Sequence, residues 1–445
     1  MFYCFFSGLS WVPRSADAKG LSLIRDAEIE NTIRDYATPV FRAAGLDPDA
    51  INIYLVKDPT INAFVAGGQN IFIHTGLLVK TDNASEIIGV IAHETGHISG
   101  GHLSRIQNAL SKSSVPAILG FILGGAATIA TGRGDIGAAI SAGGQSVAQR
   151  NFLRYSRTQE ASADHAALKF LDSTKQSAKG LSQFMKVLED QELLSTANQD
   201  PYVRTHPLSR ERIVTIENHV EHSPYSNVLP SPFQVKSHAR IKAKLYAFLN
   251  TPGRTLRAYK KSDSSIAARY ARSIAYYKNA KIDPALELLD GLLKEMPTDP
   301  YFHELRGQIL FENGRISEAL KSYGKASDLL PNSFLIRREL ARAQIEKNDP
   351  KLIDMAIKNL RIALPKEPRT AFTWRLLATA YGRKGDMGNS SLALAEEALI
   401  NGKTDIASYH AGRAEKLFAS GSREWLQAQD ILMAAKTRDK ARKKN

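Results

Sequence analysis

From about Ile266 the sequence repeats with a period of about 34 residues, and no other feature narrows the possible fold so far. Tyr276, Ala285, Leu289 and Pro297 of one unit are followed by Gly307, Ala319, Tyr323, Ala326 and Pro331 of the next. A third unit carries Ala341, Ala356, Leu360, Ala363 and Pro368, with a short insertion at 348–351, and a fourth carries Trp374, Leu377, Ala378 and Tyr381. Small residues at fixed places let paired helices approach closely, and the prolines close each unit. A lone helix pair cannot bury its apolar face, so the units must stack into a curved solenoid with a concave side. Ile406 to Phe418 and Arg423 to Ala435 read as a last, divergent pair that caps the array.

These are tetratricopeptide signatures, and they assign 266–436 to an all-α repeat domain whose usual work is binding. A chain of 445 residues can bury a second core, and the composition changes ahead of the repeats. Pro224, Pro230, Pro232 and Pro252 mark a linker, 223–265, that holds one basic helix near 237–249. A separate domain is therefore expected at 19–222. The formal charge of +14 admits nucleic acid, but Lys and Arg are spread along the chain with one cluster at 436–444. The basic tail, 437–445, reads as solvated or attracted to a membrane surface, and no nucleic-acid partner is expected.

At the other end, Met1 to Val12 is apolar and is followed by Ala16-Asp17-Ala18, the small-x-small form of a signal-peptidase site. Residues 1–18 are expected to be a truncated signal peptide, since the positive leading region is missing; an ordinary packed helix is the other reading. Cys4 is the only cysteine, so a mature form from Lys19 carries no thiol. That suits an oxidising compartment and excludes disulfide staples and a cysteine nucleophile.

The chemistry lies in His93-Glu94-Thr95-Gly96-His97. H-E-x-x-H on a helix puts two imidazoles on one face, four residues apart, where both can reach a single tetrahedral metal. Glu94 is placed to hold a water beside that metal and take its proton. The preceding run, 85–92, is apolar at helical spacing, and Asp82, Asn83 or Ser85 can cap it, so the motif sits in a buried helix. Ile29, Ile33, Tyr36 and Val40 predict an earlier helix, while Ile51 to Val56 and Asn70 to Ile73 predict short strands. Gly67-Gly68 reads as a hairpin turn. It would leave a strand edge at Asn62, Ala63 and Phe64 that either takes an extended peptide or is plain core sheet.

Two His need a third protein ligand. An H-E-x-x-H-x-x-G-x-x-H site would place a His at 103, but that residue is Leu103, and His102 is one residue out of phase. Glu160-Ala161-Ser162-Ala163-Asp164 supplies instead the E-x-x-x-D form of glutamate zincins. Glu160 would ligate the metal, and Asp164, one turn on, could hold the free nitrogen of a ligating His. His102 is at best a candidate for a place behind the ligands, and His74, His165 and His222 have no assigned role. Val115 to Thr131 lacks charge for 17 residues, and Ile136 to Gln149 is too short and polar to pair with it across a bilayer. A helical lid at about 113–150, able to dip into a membrane surface, is expected rather than a spanning hairpin.

With Thr205-His206-Pro207 followed by Arg212-Ile213, the H-E-x-x-H and E-x-x-x-D motifs make the chain resemble peptidase family M48 from Asn62 to Ile213. The resemblance implies an α+β zincin domain of the gluzincin type, mostly helical with a small sheet, ahead of the all-α tetratricopeptide solenoid. It implies one zinc ion per subunit held by His93, His97 and Glu160, with Glu94 as the catalytic base. His206 would then be a reversible fourth ligand that keeps the protease latent. Exported members of the family with such a tail imply a periplasmic endopeptidase, peripheral at most to the outer membrane. Its substrates would be unfolded or misassembled outer-membrane proteins, with the barrel assembly machinery recruited by the repeats. Two other readings remain: a chaperone or adaptor with a latent protease, and an integral-membrane protease of the same family.

Overall fold

The computed structural model describes residues 22–102, 147–192, 202–203 and 206–444. The expected export signal, the expected lid apart from 147–150, and Thr205 lie outside the described residues. The chain forms two compact units, one with residues up to Ile24 and Thr32–His238, the other with Arg25–Asn31 and Ala239–Asn445.

In the first unit a four-stranded sheet has the order β1 (Leu23–Ile24), β2 (Asn52–Val56), β4 (Asn70–His74), β3 (Ala63–Ala66). β2 and β4 are parallel, with Ile53 beside Ile71 and Leu55 beside Ile73. β3 and β4 form the antiparallel hairpin that Gly67-Gly68 predicts, Phe64 opposite Phe72. The two-residue alternation sorts the faces. Ile53, Leu55, Ile71 and Ile73 enter the core, while Tyr54, Phe72 and Phe64 stack at centroid distances of 5.1 and 5.0 Å. β3 is an edge strand.

α1 (Ala27–Ala43) gives the first unit its residues from Thr32 on, followed by α2 (Thr75–Lys80) and α3 (Ala84–Ser99). Asn83 caps α3 by accepting from the Glu86 amide, and the Glu86 carboxylate accepts in turn from the Asp82 amide. α3 is the axis of this core, with Ile87, Ile88, Val90 and Ile91 all buried, each stabilising the fold by about 1.5–3 kcal/mol. α4 (Val147–Ser173) and α5 (Lys179–Glu192) pack against it, and α6 (Arg210–His222) packs on both.

The second unit includes the C-terminal part of α7 (Pro232–Leu249) and α8 (Pro252–Ala258), then successive helix pairs. These are α9 (Ile266–Lys278) with α10 (Ile282–Glu295), α11 (Pro300–Glu312) with α12 (Ile316–Leu329), and α13 (Phe334–Lys347) with α14 (Pro350–Ala363). α15 (Ala371–Lys384) with α16 (Met387–Ile400), and α17 (Thr404–Leu417) with α18 (Arg423–Lys444), complete the helical repeat region. The small repeat residues lie at the contacts: Ala285, Ala319, Ala326, Ala341, Ala356 and Ala363 are fully buried. α7 starts five residues before the helix expected near 237–249. Ser231 and Gln234 form a reciprocal capping box, and Pro232 takes the first helical position. The last helix runs on through Lys444, so the basic stretch is helical there.

Arg25–Asn31 sit in this unit on a network of buried charge. Glu28 accepts from the Tyr270 hydroxyl at 2.9 Å and pairs with Arg240 at 2.7 Å, and Lys244 pairs with Asp26 at 2.8 Å. Beside them a cavity of about 240 Å³ is lined by Glu304, Glu339, Arg338 and Arg342 among others, and Glu304 Oε2 is buried with no hydrogen-bond partner among the described residues. Burial pushes the Glu304 carboxyl up to about 8, against Lys244 and with Asp26, Glu28 and Glu339 adding to it. A carboxyl raised on folding stabilises the fold while protonated, and that contribution is lost as pH climbs through the raised value. Glu304→Gln, neutral at every pH, should therefore raise the thermal midpoint of this unit by about 10 °C at pH 9 and by about 2 °C at pH 5. Thermal melts at the two pH values check this; equal shifts would contradict it.

Candidate metal centre and active site

One helical turn separates His93 from His97 on α3, and their rings meet edge to face with centroids 4.8 Å apart. Glu160 reaches them from α4, its Oε2 3.3 Å from His93 Nε2 and its Oε1 3.4 Å from His97 Nε2. His206 closes the group, its Nδ1 3.2 Å from Glu160 Oε2 and 3.3 Å from His93 Nε2. One donor atom from each of these four residues lies within 4.8 Å of all the others. Two imidazole Nε2 atoms facing each other at 3.1 Å with a carboxylate alongside call for a cation between them.

The charge balance says the same. Burial alone would depress His93, but hydrogen bonds to Asp164 and Glu160 overcome it and push the imidazole up to about 10. Burial would raise Glu160, yet His206, His97 and Arg212 hold it well below the usual carboxylate range. His97 is depressed by burial and by the cationic field of His93, His206 and His102, with Glu160 opposing. The carboxylates thus hold a positive charge here, and a divalent metal would take the place of the His93 proton. The nitrogen and oxygen donors suit zinc.

Glu94, fully buried, has no hydrogen-bond partner on either carboxylate oxygen among the described residues, and His206 Nε2 has none either. The two approach only to 3.5 Å. Burial pushes the Glu94 carboxyl up, with His206 and His93 opposing. A carboxylate shut away from water with free lone pairs, one residue on from a ligand, is equipped to take a proton from whatever enters the site.

Behind the donor atoms each imidazole has a partner. Asp164, four residues after Glu160 and so on the same face of α4, has its Oδ1 2.8 Å from His93 Nδ1. Arg212 holds Asp164 in turn, Nε donating to Oδ2 at 2.6 Å and Nη2 to Oδ1 at 3.0 Å. His97 Nδ1 lies 3.0 Å from His102 Nδ1. α3 ends at Ser99, and Gly101, at a φ of 62° that favours glycine, turns the chain so that His102 folds back onto His97. Tyr202, fully buried, stacks on His206 at 4.5 Å between centroids, and its amide donates to the Ile61 carbonyl just ahead of β3.

Of the sequence-predicted residues, His93, Glu94, His97, Glu160, Asp164 and His206 meet in this one place. Asn62, Ala63 and Phe64 lie at and just before the edge strand, which α3 contacts; Ala63 turns its side chain into the core beside Ile73, and Phe64 is buried on the opposite face against Phe72. His74 contacts the Thr60 hydroxyl instead, at 3.0 Å, and His165 and His222 are exposed. Sequence reasoning gave no role to Arg212 or Tyr202 and only a weak one to His102. Their signals were the T-H-P-x-x-x-x-R spacing, an aromatic four residues before His206, and the Gly100-Gly101 pair that ends the motif helix.

Residues 24–220 match peptidase family M48. The beta-barrel assembly-enhancing protease of Yersinia pestis is 25% identical over 79% of this chain and 72% of its own length. Its Escherichia coli K12 counterpart is 23% identical over 86% of this chain and 78% of its own. The mitochondrial metalloendopeptidase OMA1 of Schizosaccharomyces pombe is 28% identical over 40% of this chain and 49% of its own. Among solved structures, MamA is 18% identical over 39% of this chain and 97% of its own, at a TM-score of 0.29. Residues 24–220 are accordingly a peptidase family M48 domain, and the protein is a metalloendopeptidase homologous to beta-barrel assembly-enhancing proteases over most of its length.

Proposed function

We propose that the chain is a zinc-dependent endopeptidase of the periplasm that degrades misfolded or stalled outer-membrane proteins and assists their assembly. The observation that carries the catalytic part is the convergence of His93, His97 and Glu160 beside Glu94, whose carboxylate oxygens have no hydrogen-bond partner among the described residues. Zinc bound there would supply Lewis acidity, polarising the scissile carbonyl and acidifying a water. Glu94 takes the proton of the attacking water on a carboxylate oxygen and delivers it to the leaving amine. Asp164 holds His93 in the tautomer that presents Nε2 to the metal, and His102 does the corresponding work for His97. An extended substrate adds to the outer side of β3, so Asn62, Ala63 and Phe64 act through their backbone.

Support for the compartment and substrates comes from the apolar stretch followed by Ala16-Asp17-Ala18, the single cysteine and the names of the relatives. The helical repeats recruit the barrel assembly machinery. No helix among the described residues is long and apolar enough to cross a membrane.

A specific observation favours a protease that is latent at rest: His206 stands among the ligand donors, where a third imidazole acting as fourth ligand would exclude water. His206→Ala should raise basal cleavage of a urea-unfolded outer-membrane barrel by about tenfold if the closed loop holds about nine tenths of the molecules. The folded barrel should stay intact. Unchanged or slower cleavage in that variant, or equal attack on the folded barrel, would count against the latch and the substrate class respectively.

A further inference from the structure

We propose that Arg212 is the positioning residue that joins the metal ligands to the His206 loop, one guanidinium holding both. This rests on the reading of His93, His97, Glu160 and His206 as ligand donors. Arg212 stands in the first turn of α6, whose start is fixed by Ser209 accepting from the Arg212 amide, and the residue is 4% exposed. Its fork is used on three sides. Nε and Nη2 grip Asp164 in a bidentate pair, Nη1 lies 3.2 Å from Glu160 Oε2, and Nη1 also donates to the Pro207 carbonyl at 2.8 Å.

These contacts reach different parts of the centre. Asp164 sets the His93 ring, Glu160 is itself a ligand donor, and Pro207 is the residue next to His206. A planar guanidinium fixes the directions of all three bonds at once, which a lysine ammonium, a single compact charge, cannot do. Moving the Pro207 carbonyl away from Arg212 would carry the His206 imidazole with it. Loop position and ligand geometry are therefore set by one side chain, so a partner that pulls the loop out also loosens the arginine's hold on Asp164 and Glu160.

The test uses the full chain as Arg212→Lys and Arg212→Gln, with Asp164→Asn and His206→Ala for comparison. Zinc(II) affinity is read by competition with a chromophoric chelator, and ligand geometry by the visible spectrum of the cobalt(II)-loaded protein. Arg212→Lys should weaken zinc binding by about 10- to 100-fold. Adding Asp164→Asn should cost little more, because both changes act through His93. The cobalt spectrum of Arg212→Lys should move in the direction that His206→Ala moves it. Circular dichroism identifies whichever Arg212 variant folds, and either one suffices. The assignment is overturned if a folded variant binds zinc within about twofold of the wild type, a change too small for a lost ligand-orienting contact. It is also overturned if the losses from Arg212→Lys and Asp164→Asn multiply, or if the cobalt spectrum stays put while His206→Ala shifts it. Failure of the underlying reading has a different signature: a wild-type chain that binds neither ion, or a cobalt spectrum that His206→Ala leaves unchanged.

Discussion

Glu94→Gln is expected to fold like the wild type and to cleave peptides about 10³-fold more slowly, within the span that a lost general base produces. The amide has the size of the carboxylate but cannot take a proton. Nothing in the fold depends on the charge, since neither Glu94 oxygen has a hydrogen-bond partner among the described residues. Burial already raises this carboxyl, so the ionised form costs stability at neutral pH and the neutral Gln variant should melt no earlier than the wild type. Hydrolysis of an unfolded protein, with a melt on the same sample, checks both statements. A fully active variant would remove Glu94 from the mechanism.

Gly96→Ala should be nearly as damaging, although Gly96 carries no chemistry. Helix propensity alone favours Ala over Gly by about 1 kcal/mol. Against this, a Cβ at Gly96 would lie 2.7 Å from the Ala163 carbonyl oxygen and 2.9 Å from its Cα, and backbone cannot swing aside. Overpacking of that kind costs about 1–3 kcal/mol, so the clash wins. Ala163 stands between Glu160 and Asp164, so pushing α4 back displaces both carboxylates from the imidazoles. The expected result is a melting midpoint below that of the wild type and zinc affinity reduced by about tenfold or more. Both are read on the purified variant by a thermal melt and chelator competition. A raised midpoint with unchanged affinity would mean that the two helices tolerate separation and that close packing does not set the site.

The parts of this protein that its sequence displays are those built from near neighbours. The helix pairs of the repeat region contact mainly the next helix in the chain, so small residues at a fixed period describe them directly. The β3–β4 hairpin and the His93–His97 pair are likewise local. Glu160 and Asp164 stand out because they share one helix face at the E-x-x-x-D spacing, which would suit a metal and its histidine. Arg212 shows only as the end of the T-H-P-x-x-x-x-R spacing and without a role, because its partner Asp164 lies 48 residues away and no periodicity connects them. Glu28 is a clearer case still, a buried acid whose tyrosine partner is 242 residues on. His102 was set aside because its spacing was measured along a straight helix, whereas the helix ends before it and Gly101 reverses the chain. The start of α7 was placed late because Ser231-Pro232-Phe233-Gln234 lies among prolines that read as linker, although it carries its own capping signal.

Zinc content and peptide cleavage, measured side by side on wild type and Glu94→Gln from the same purification, test the central claim most directly. About one zinc per chain is expected in both proteins, with cleavage only in the wild type. Absence of stoichiometric metal in the wild type, or cleavage by Glu94→Gln at the wild-type rate, would contradict it.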